Sequence, residues 1–385
     1  MLDVGSALDR LDEPQMGAAG PPAPAEWPEP ELPGASGVIA AAAIRAPSAS
    51  NAQPWDVEVG ADAITIRLAP EHTSALDVGL RASAVAIGAA LFNAKVAAAA
   101  QHVLGPVNLL EDVDGVPLQA TLQLDEGRDP VLAALYEPML ARETNRRRGP
   151  SRPIPTDLVE PLRGIAEREG AHLHLITEPD DIARVATIFA AADRARFLTA
   201  RLHAEMVSEL RWPGDPSPET GIDVLSLELD RGDLAVIDIL KRPEVMAHLA
   251  RWNVGAALGA DTRQIVLASS ALAVVSVPGS TLTDFARGGS AAEAVWITAQ
   301  QCGLSVQPIS PVFLYAHNAD ELAALSPEFA DELENLRTAF RKLAHTRSDN
   351  FVALVLRLAF GGPTSVRSRR SIERVRLLST QQRLP

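Results

Sequence analysis

Two arginine clusters are the residues of this chain best suited to chemistry. Residues 142–152 (RETNRRRGPSR) and 367–376 (RSRRSIERVR) each hold five arginines and one glutamate. Guanidinium forks match phosphate oxygens, so two clusters brought together can build a phosphate site from distant segments. The alternative is a solvated helix start and a basic tail, and composition leaves both open. A third stretch, APSASNAQPW at 46–55, sets the hydrogen-bonding side chains of Ser48, Asn51 and Gln53 between two prolines. On its own it reads as a Ser/Asn-rich turn closed by Pro54, with Trp55 entering the core.

Other reactive residue types are scattered. Of the 8 histidines, only His172 and His174 are close, on one face of an expected strand. No metal site is assigned to them, and partly exposed strand residues are the simpler account. His203 and Glu205 stand at i, i+2, which puts them on different faces of a helix. Cys302, the single cysteine, excludes a disulfide framework and a thiolate metal cluster, and is expected as a small buried hydrophobe late in a helix. There is no Walker loop, strand-linked GxGxxG, GxSxG or HExxH.

The frame around these residues is acidic, apolar and long. The 385 residues carry 35 Lys and Arg against 49 Asp and Glu, a formal charge of −14. The arginine clusters interrupt that acidity, and nucleic acid is excluded as a general partner. With 47% hydrophobic and only 4% aromatic residues, the core is built of Ala, Leu and Val, as suits tightly packed helices. The start, MLDVGSALDR, lacks the pattern of a signal peptide. The apolar stretch 84–100, broken by Asn93 and Lys95, reads as a buried helix and not a membrane span. A cytoplasmic protein without membrane contact is expected.

Residues 1–36, with seven prolines and seven acidic residues, read as a disordered tail. Folded structure is expected from Ser36, with a helix to Pro47 and a hairpin over 56–69 around Gly60-Ala61-Asp62. A long Ala-rich helix over 77–103 and a strand at 117–124 follow. Beyond them come helices at 129–142 and 156–169, a strand at 172–177 and helical patterns from 180 to 211. A turn-rich stretch at 212–223 precedes helices at 233–241 and 243–252. The apolar run 265–277 reads as a central strand, and 286–304 as a helix opening on two glycines. A helix at 326–344 and a strand at 351–360 complete the core. The shared order of elements gives two related halves, 37–141 and 142–385, the second holding an insertion at about 203–260.

The 46–55 stretch resembles the PSxxNxQPW signature of nitroreductase-like flavin oxidoreductases, matched by Pro47, Ser48, Asn51, Gln53, Pro54 and Trp55. RETNRRRGPSRPIP at 142–155 is similar to that family's RRSxRxF…RPVP opening, with Arg142, Thr144 and Arg146 on its R, S and R. GGSAAEAVWITAQQCGLSVQPISP at 288–311 looks like its long helix running into GL…P. FGGPTSVRSRRSIERV at 360–375 looks like its terminal basic phosphate motif. The block 209–229 is more similar to an actinobacterial, single-chain, two-half branch. That branch is akin to Acg-type proteins and to the nitroreductase domain fused behind a ThiF-like adenylating domain.

The resemblance implies an α+β, nitroreductase-like fold in which two halves form an intramolecular pseudo-dimer around antiparallel sheets with surrounding helices. It implies one FMN per chain, with Arg45, Ser48, Asn51, Gln53, Arg142, Thr144, Arg146, Ser310, Arg367 and Arg369 as cofactor-binding residues. NAD(P)H would be the electron donor and a small molecule the substrate; no catalytic side chain is assigned. Ser310 can offer its N–H toward the flavin, whereas Pro311 cannot. The 203–260 insertion is expected as a lid. If closed, it would make the chain a flavin-sequestering protein or accessory domain. A monomer or weak homodimer is expected, with a ThiF-like adenylating protein as a possible partner.

Overall fold

The computed structural model describes residues 34–74, 76–215, 220–252, 254–364 and 375–377. The fold is α+β, as expected: two mainly antiparallel sheets, each faced by helices. Strands β1 (Trp55–Val59), β2 (Ala63–Leu68), β3 (Leu104–Val113) and β4 (Val116–Leu124) belong to the first sheet. β5 (His172–Ile176), β8 (Ala271–Pro278), β9 (Ser305–Ile309) and β10 (Asn350–Ala359) form the second. β6 (Leu210–Arg211) and β7 (Ile222–Asp223) make a small parallel pair beside them. β11 (Val375–Leu377) returns to the first sheet, parallel to β1 with Val57 opposite Val375, giving the order β11-β1-β2-β4-β3. The second sheet runs β5-β8-β10-β9.

Sequence pattern explains most of these elements. Alternation in β2 buries Ile64, Ile66 and Leu68, and the tight turn after Val59 pairs it with β1. β8 is covered on both faces, so its apolar run does not alternate. That strand starts at Ala271. Residues 265–267, expected as its beginning, instead end the helix Ala260–Leu267, and Ser269 and Ser270 separate the two. β3 was not anticipated, because it carries Pro106 and alternates weakly; it is an edge strand, where proline is tolerated.

The core centres on two 20-residue helices, Arg81–Ala100 and Leu282–Gln301. They cross backbone against backbone. A Cβ on Gly88 would lie 1.7 Å from the Ala286 carbonyl oxygen, and one on Gly289 1.9 Å from that of Val85. The glycines at 288–289 therefore sit inside a helix and do not open it. The actual start is a capping box, with Asp284 N–H on Thr281 Oγ1 at 3.1 Å and Thr281 N–H on Asp284 Oδ2 at 3.1 Å. The stretch Val78–Ala100 is long and apolar enough to cross a membrane, yet 83% of its apolar window is buried inside the fold.

Further expectations shift. The first helix, Gly34–Ile44, begins inside the segment read as tail; residues 1–33 lie outside the described residues. Its AAAAI run buries one face against the Arg81–Ala100 helix, which draws the boundary forward. Cys302 is exposed, since it caps the Leu282–Gln301 helix three residues beyond Ala299, the last buried residue of that helix. Arg367 and Arg369 lie outside the described residues.

Candidate cofactor cavity

A single cavity of about 890 Å³ gathers residues from distant parts of the chain. Arg45, Ser48, Asn51, Arg142, Thr144, Arg146 and Ser310 all line it. Thr364, the last described residue before the second arginine cluster, lies on the same wall.

The 46–55 loop is built by its own hydrogen bonds. Pro47 follows the end of the first helix, and the Gln53 N–H donates to Ser48 Oγ at 3.0 Å. Ser50, Asn51 and Gln53 have φ of 48°, 54° and 54°, the left-handed region that costs a side-chain-bearing residue energy unless its surroundings hold it there. The Gly221 N–H, immediately before β7, donates to the Ser50 carbonyl at 2.9 Å and helps to hold it. This turn points Gln53 inward. The side chain is 1% exposed and Nε2 reaches the Asn51 carbonyl at 3.4 Å. Gln53 thus braces the loop and does not line the cavity, contrary to its expected place among the ligands.

The 142–148 segment is fastened from several sides. Asn145 N–H donates to the Val306 carbonyl at 2.9 Å, and its Nδ2 to the Gly362 carbonyl at 2.8 Å. Arg357, fully buried in β10, donates from Nη2 to the Arg147 carbonyl at 2.9 Å. Burial lowers its pKa to about 10, the nearby Arg148 adding to the effect. The arginines along this segment differ in use. Arg142 gives Nε to Glu293 Oε1 at 2.8 Å and Nη2 to the Arg45 carbonyl at 2.8 Å, and lies 4.8 Å over the Trp296 ring. In the orientation that satisfies both ends of its amide, Asn93 donates to Glu293 Oε1 at 3.2 Å and accepts from the Ala46 N–H at 3.3 Å. Arg147 pairs with Glu228 at 3.2 Å, and Arg148 with Asp261.

Arg146 is the exception. Nη1 donates to Ser226 O at 3.2 Å and Ser226 Oγ at 3.3 Å. Among the described residues no carboxylate pairs with it directly. Burial lowers its pKa to about 10, partly countered by Glu228. A desolvated cation on a cavity wall is a place where an anionic ligand gains most.

A second polar group in the cavity was not foreseen. Asp193 and Arg196 lie at i, i+3 on the helix Pro179–Leu198, facing Glu209 and Tyr315. Arg196 pairs with Glu209 at 3.5 Å, and Thr262 Oγ1 donates to Asp193. Burial pushes up the carboxyls of Asp193 and Glu209 and the phenol of Tyr315. The Asp-x-x-Arg spacing, following the largely apolar run 185–192 of that helix, was the available signal. Glu209 and Tyr315 had none. His203, by contrast, is structural: Nε2–H donates to the Leu240 carbonyl at 2.8 Å.

Fold and site together define an α+β protein with a large, partly charged cavity at the meeting of its two long helices. No protein-family profile matches the chain. It is 54% identical over 380 residues to Uncharacterized protein MT1398 of Mycobacterium tuberculosis (strain CDC 1551 / Oshkosh), a match covering 96% of this chain and 52% of that protein. The chain thus spans about half the length of that relative. Among solved structures it is similar to iodotyrosine deiodinase bound to FMN and 3-iodo-L-tyrosine (TM-score 0.34, 12% identity, 62% of this chain and 95% of that one). It is also similar to the FMN-dependent nitroreductase NfnB from Mycobacterium smegmatis in complex with NADPH (TM-score 0.32, 12% identity, 60% and 89%). A third is a nitroreductase with bound FMN from Bacteroides fragilis NCTC 9343 (TM-score 0.32, 10% identity, 62% and 94%).

Proposed function

We propose that the chain is an FMN-dependent oxidoreductase of the nitroreductase-like kind, passing hydride between NAD(P)H or an organic substrate and a small acceptor. The observation that carries this reading is convergence. Three segments that resemble flavin-binding motifs, at 45–51, 142–146 and 310, meet on one cavity. The residues present fit the cofactor. Arg146 is a half-buried, partly desolvated cation without a paired carboxylate among the described residues, suited to a phosphate. Ser48, Asn51, Thr144 and Ser310 add neutral donors and acceptors along the wall. Bound FMN would supply the hydride-accepting centre that no side chain here provides.

The chain's own residues then have distinct tasks. Arg146 neutralises the phosphate, with Arg367 and Arg369, three and five positions after the cavity-lining Thr364, as proposed further ligands. Arg142, which donates to the Arg45 carbonyl, and Arg45, which donates to the Leu140 carbonyl, hold the floor in place. Asp193 and Glu209, whose carboxyls burial pushes up, keep a proton to higher pH than ordinary carboxyls and can release it inside the cavity.

The paired helices in contact at Gly88 and Gly289 are compatible with two halves forming a pseudo-dimer in a monomeric chain. The extra length of the relative has a proposed occupant in a ThiF-like adenylating unit. A second reading, a flavin-binding protein without turnover, is favoured by the wall that residues from 203 to 258 place along the cavity. FMN titration followed by gel filtration tests cofactor binding: a single equivalent retained per chain is expected, and none retained overturns the proposal. Anaerobic NADH or NADPH should then bleach the bound flavin. A flavin that neither bleaches, nor responds to candidate organic substrates, favours the second reading.

A further inference from the structure

The cavity has a second character away from Arg146. Met206 and Val207 of the helix Ala200–Ser208, Leu227, Val236 and Ile237 of the helix Arg231–Leu240, and Leu249 of Pro243–Arg251 face into it. Protein interiors are packed with few voids, so aliphatic walls around open volume on this scale mark a ligand site. Asp233, the carboxylate on this wall, is exposed and keeps its hydration, and the other charges here are answered within the protein. Lys241 pairs with Asp238 at 2.6 Å and lies 4.6 Å from the Trp212 ring centroid. His203 spends its ring N–H on the Leu240 carbonyl. At the inner end Arg196 faces Glu209, so neither an anion nor a cation meets an uncompensated opposite charge there.

The outer surface of the same segment is also apolar. Val236 lines the cavity and is also 50% exposed, and Ile239, Trp252 and Val254 are exposed on the same segment. Four of the large exposed hydrophobic side chains among the described residues thus fall between 236 and 254. Isolated exposed apolar residues are ordinary, but a group of them within one cavity-lining segment suits a ligand of like character.

We propose that the chamber walled by the 203–258 segment binds an uncharged, predominantly apolar small molecule as the second ligand of the flavin site. This rests on the flavin reading for its role, since the ligand would be the site's organic substrate. The binding itself rests on the aliphatic wall. The wall accommodates a ring or chain without charge and opposes a carboxylate, which would lose its hydration without gaining a partner.

The test uses full-length protein saturated with FMN and the neutral dye Nile red. Saturable, blue-shifted emission at a single site is expected, displaced by dodecanol and at least ~10-fold less well by dodecanoate. Val207→Trp, which fills the chamber, should weaken dye binding at least ~10-fold while leaving FMN retention and the circular dichroism spectrum unchanged. Ile237→Asn makes the same wall polar and should give the same loss if the tryptophan variant does not fold. Absence of saturable binding, equal displacement by dodecanoate, or unaltered binding in the folded variant each overturns the proposal. Dye binding in a chain that retains no FMN would remove the flavin reading and leave the apolar site standing. FMN retention without dye binding would do the reverse.

Discussion

Arg142 donates from Nε to Oε1 of Glu293 at 2.8 Å, with side chains that are 8% and 0% exposed. The same guanidinium covers the Trp296 ring and reaches the Arg45 carbonyl. An arginine whose sequence context points to phosphate is thus first a clamp between the 142–148 segment and the central helix. Removing one partner of a buried pair strands the other without water. Glu293→Ala should therefore destabilise the protein by about 3–5 kcal/mol. Urea unfolding measures it, and a loss below about 1 kcal/mol would show that the pair is not structural.

The helix crossing gives a second prediction. Gly289→Ala places a methyl group against the Val85 carbonyl oxygen, where backbone would have to move. The cost is about 1–3 kcal/mol or more. Because Val85 and Gly289 both line the cavity, flavin retention should fall with it. Thermal unfolding and a flavin-release assay on the same variant check both parts.

Asn51 separates backbone from side chain. At φ 54° glycine is at ease and alanine is not, so Asn51→Ala should be less stable than Asn51→Gly by about 1 kcal/mol. Both lose the amide that faces the cavity, so both should bind FMN more weakly. Equal stability of the two variants would show that the loop relaxes when the side chain is cut.

His317 sets an acid limit. It stands between Phe285 and Phe351, at centroid distances of 5.2 and 4.6 Å. Burial, then Arg81, lowers its pKa to about 4 from 6.5; Glu321 opposes this, while Arg337 and Arg341 add to it. The unfolded chain takes up a proton near pH 6.5 and the folded chain only near 4. Stability tied to this group is therefore complete above pH 6.5 and lost as pH falls toward 4. His317→Gln should flatten that part of the stability profile. Asp77, Asp193 and Glu209, with raised pKa, contribute with the opposite sign. The difference between wild type and variant isolates the histidine.

Local spacing made much of this site legible in the sequence. Pro47 to Trp55 and Arg142 to Arg146 are short patterns whose residue types carry their chemistry with them. What spacing could not convey was direction. Three positive φ values turn Gln53 away from the cavity. Arg142 meets a glutamate contributed by a helix far along the chain, and Arg357 braces the Arg147 carbonyl from another strand. The glycines at 288–289 looked like a helix start, because their reason is a neighbouring helix that only the fold supplies. Arg196, Glu209 and Tyr315 come from three separate elements, so no local pattern announces the group they form.

The central claim is that Arg146 anchors an anionic flavin in this cavity. The direct test is flavin retained per chain, read from the visible spectrum after gel filtration, in wild type and Arg146→Ala. A yellow wild type holding a single flavin, and a colourless variant with unchanged circular dichroism and thermal midpoint, is the predicted result. A colourless wild type that takes up no FMN, or a folded variant that keeps its flavin, would contradict it.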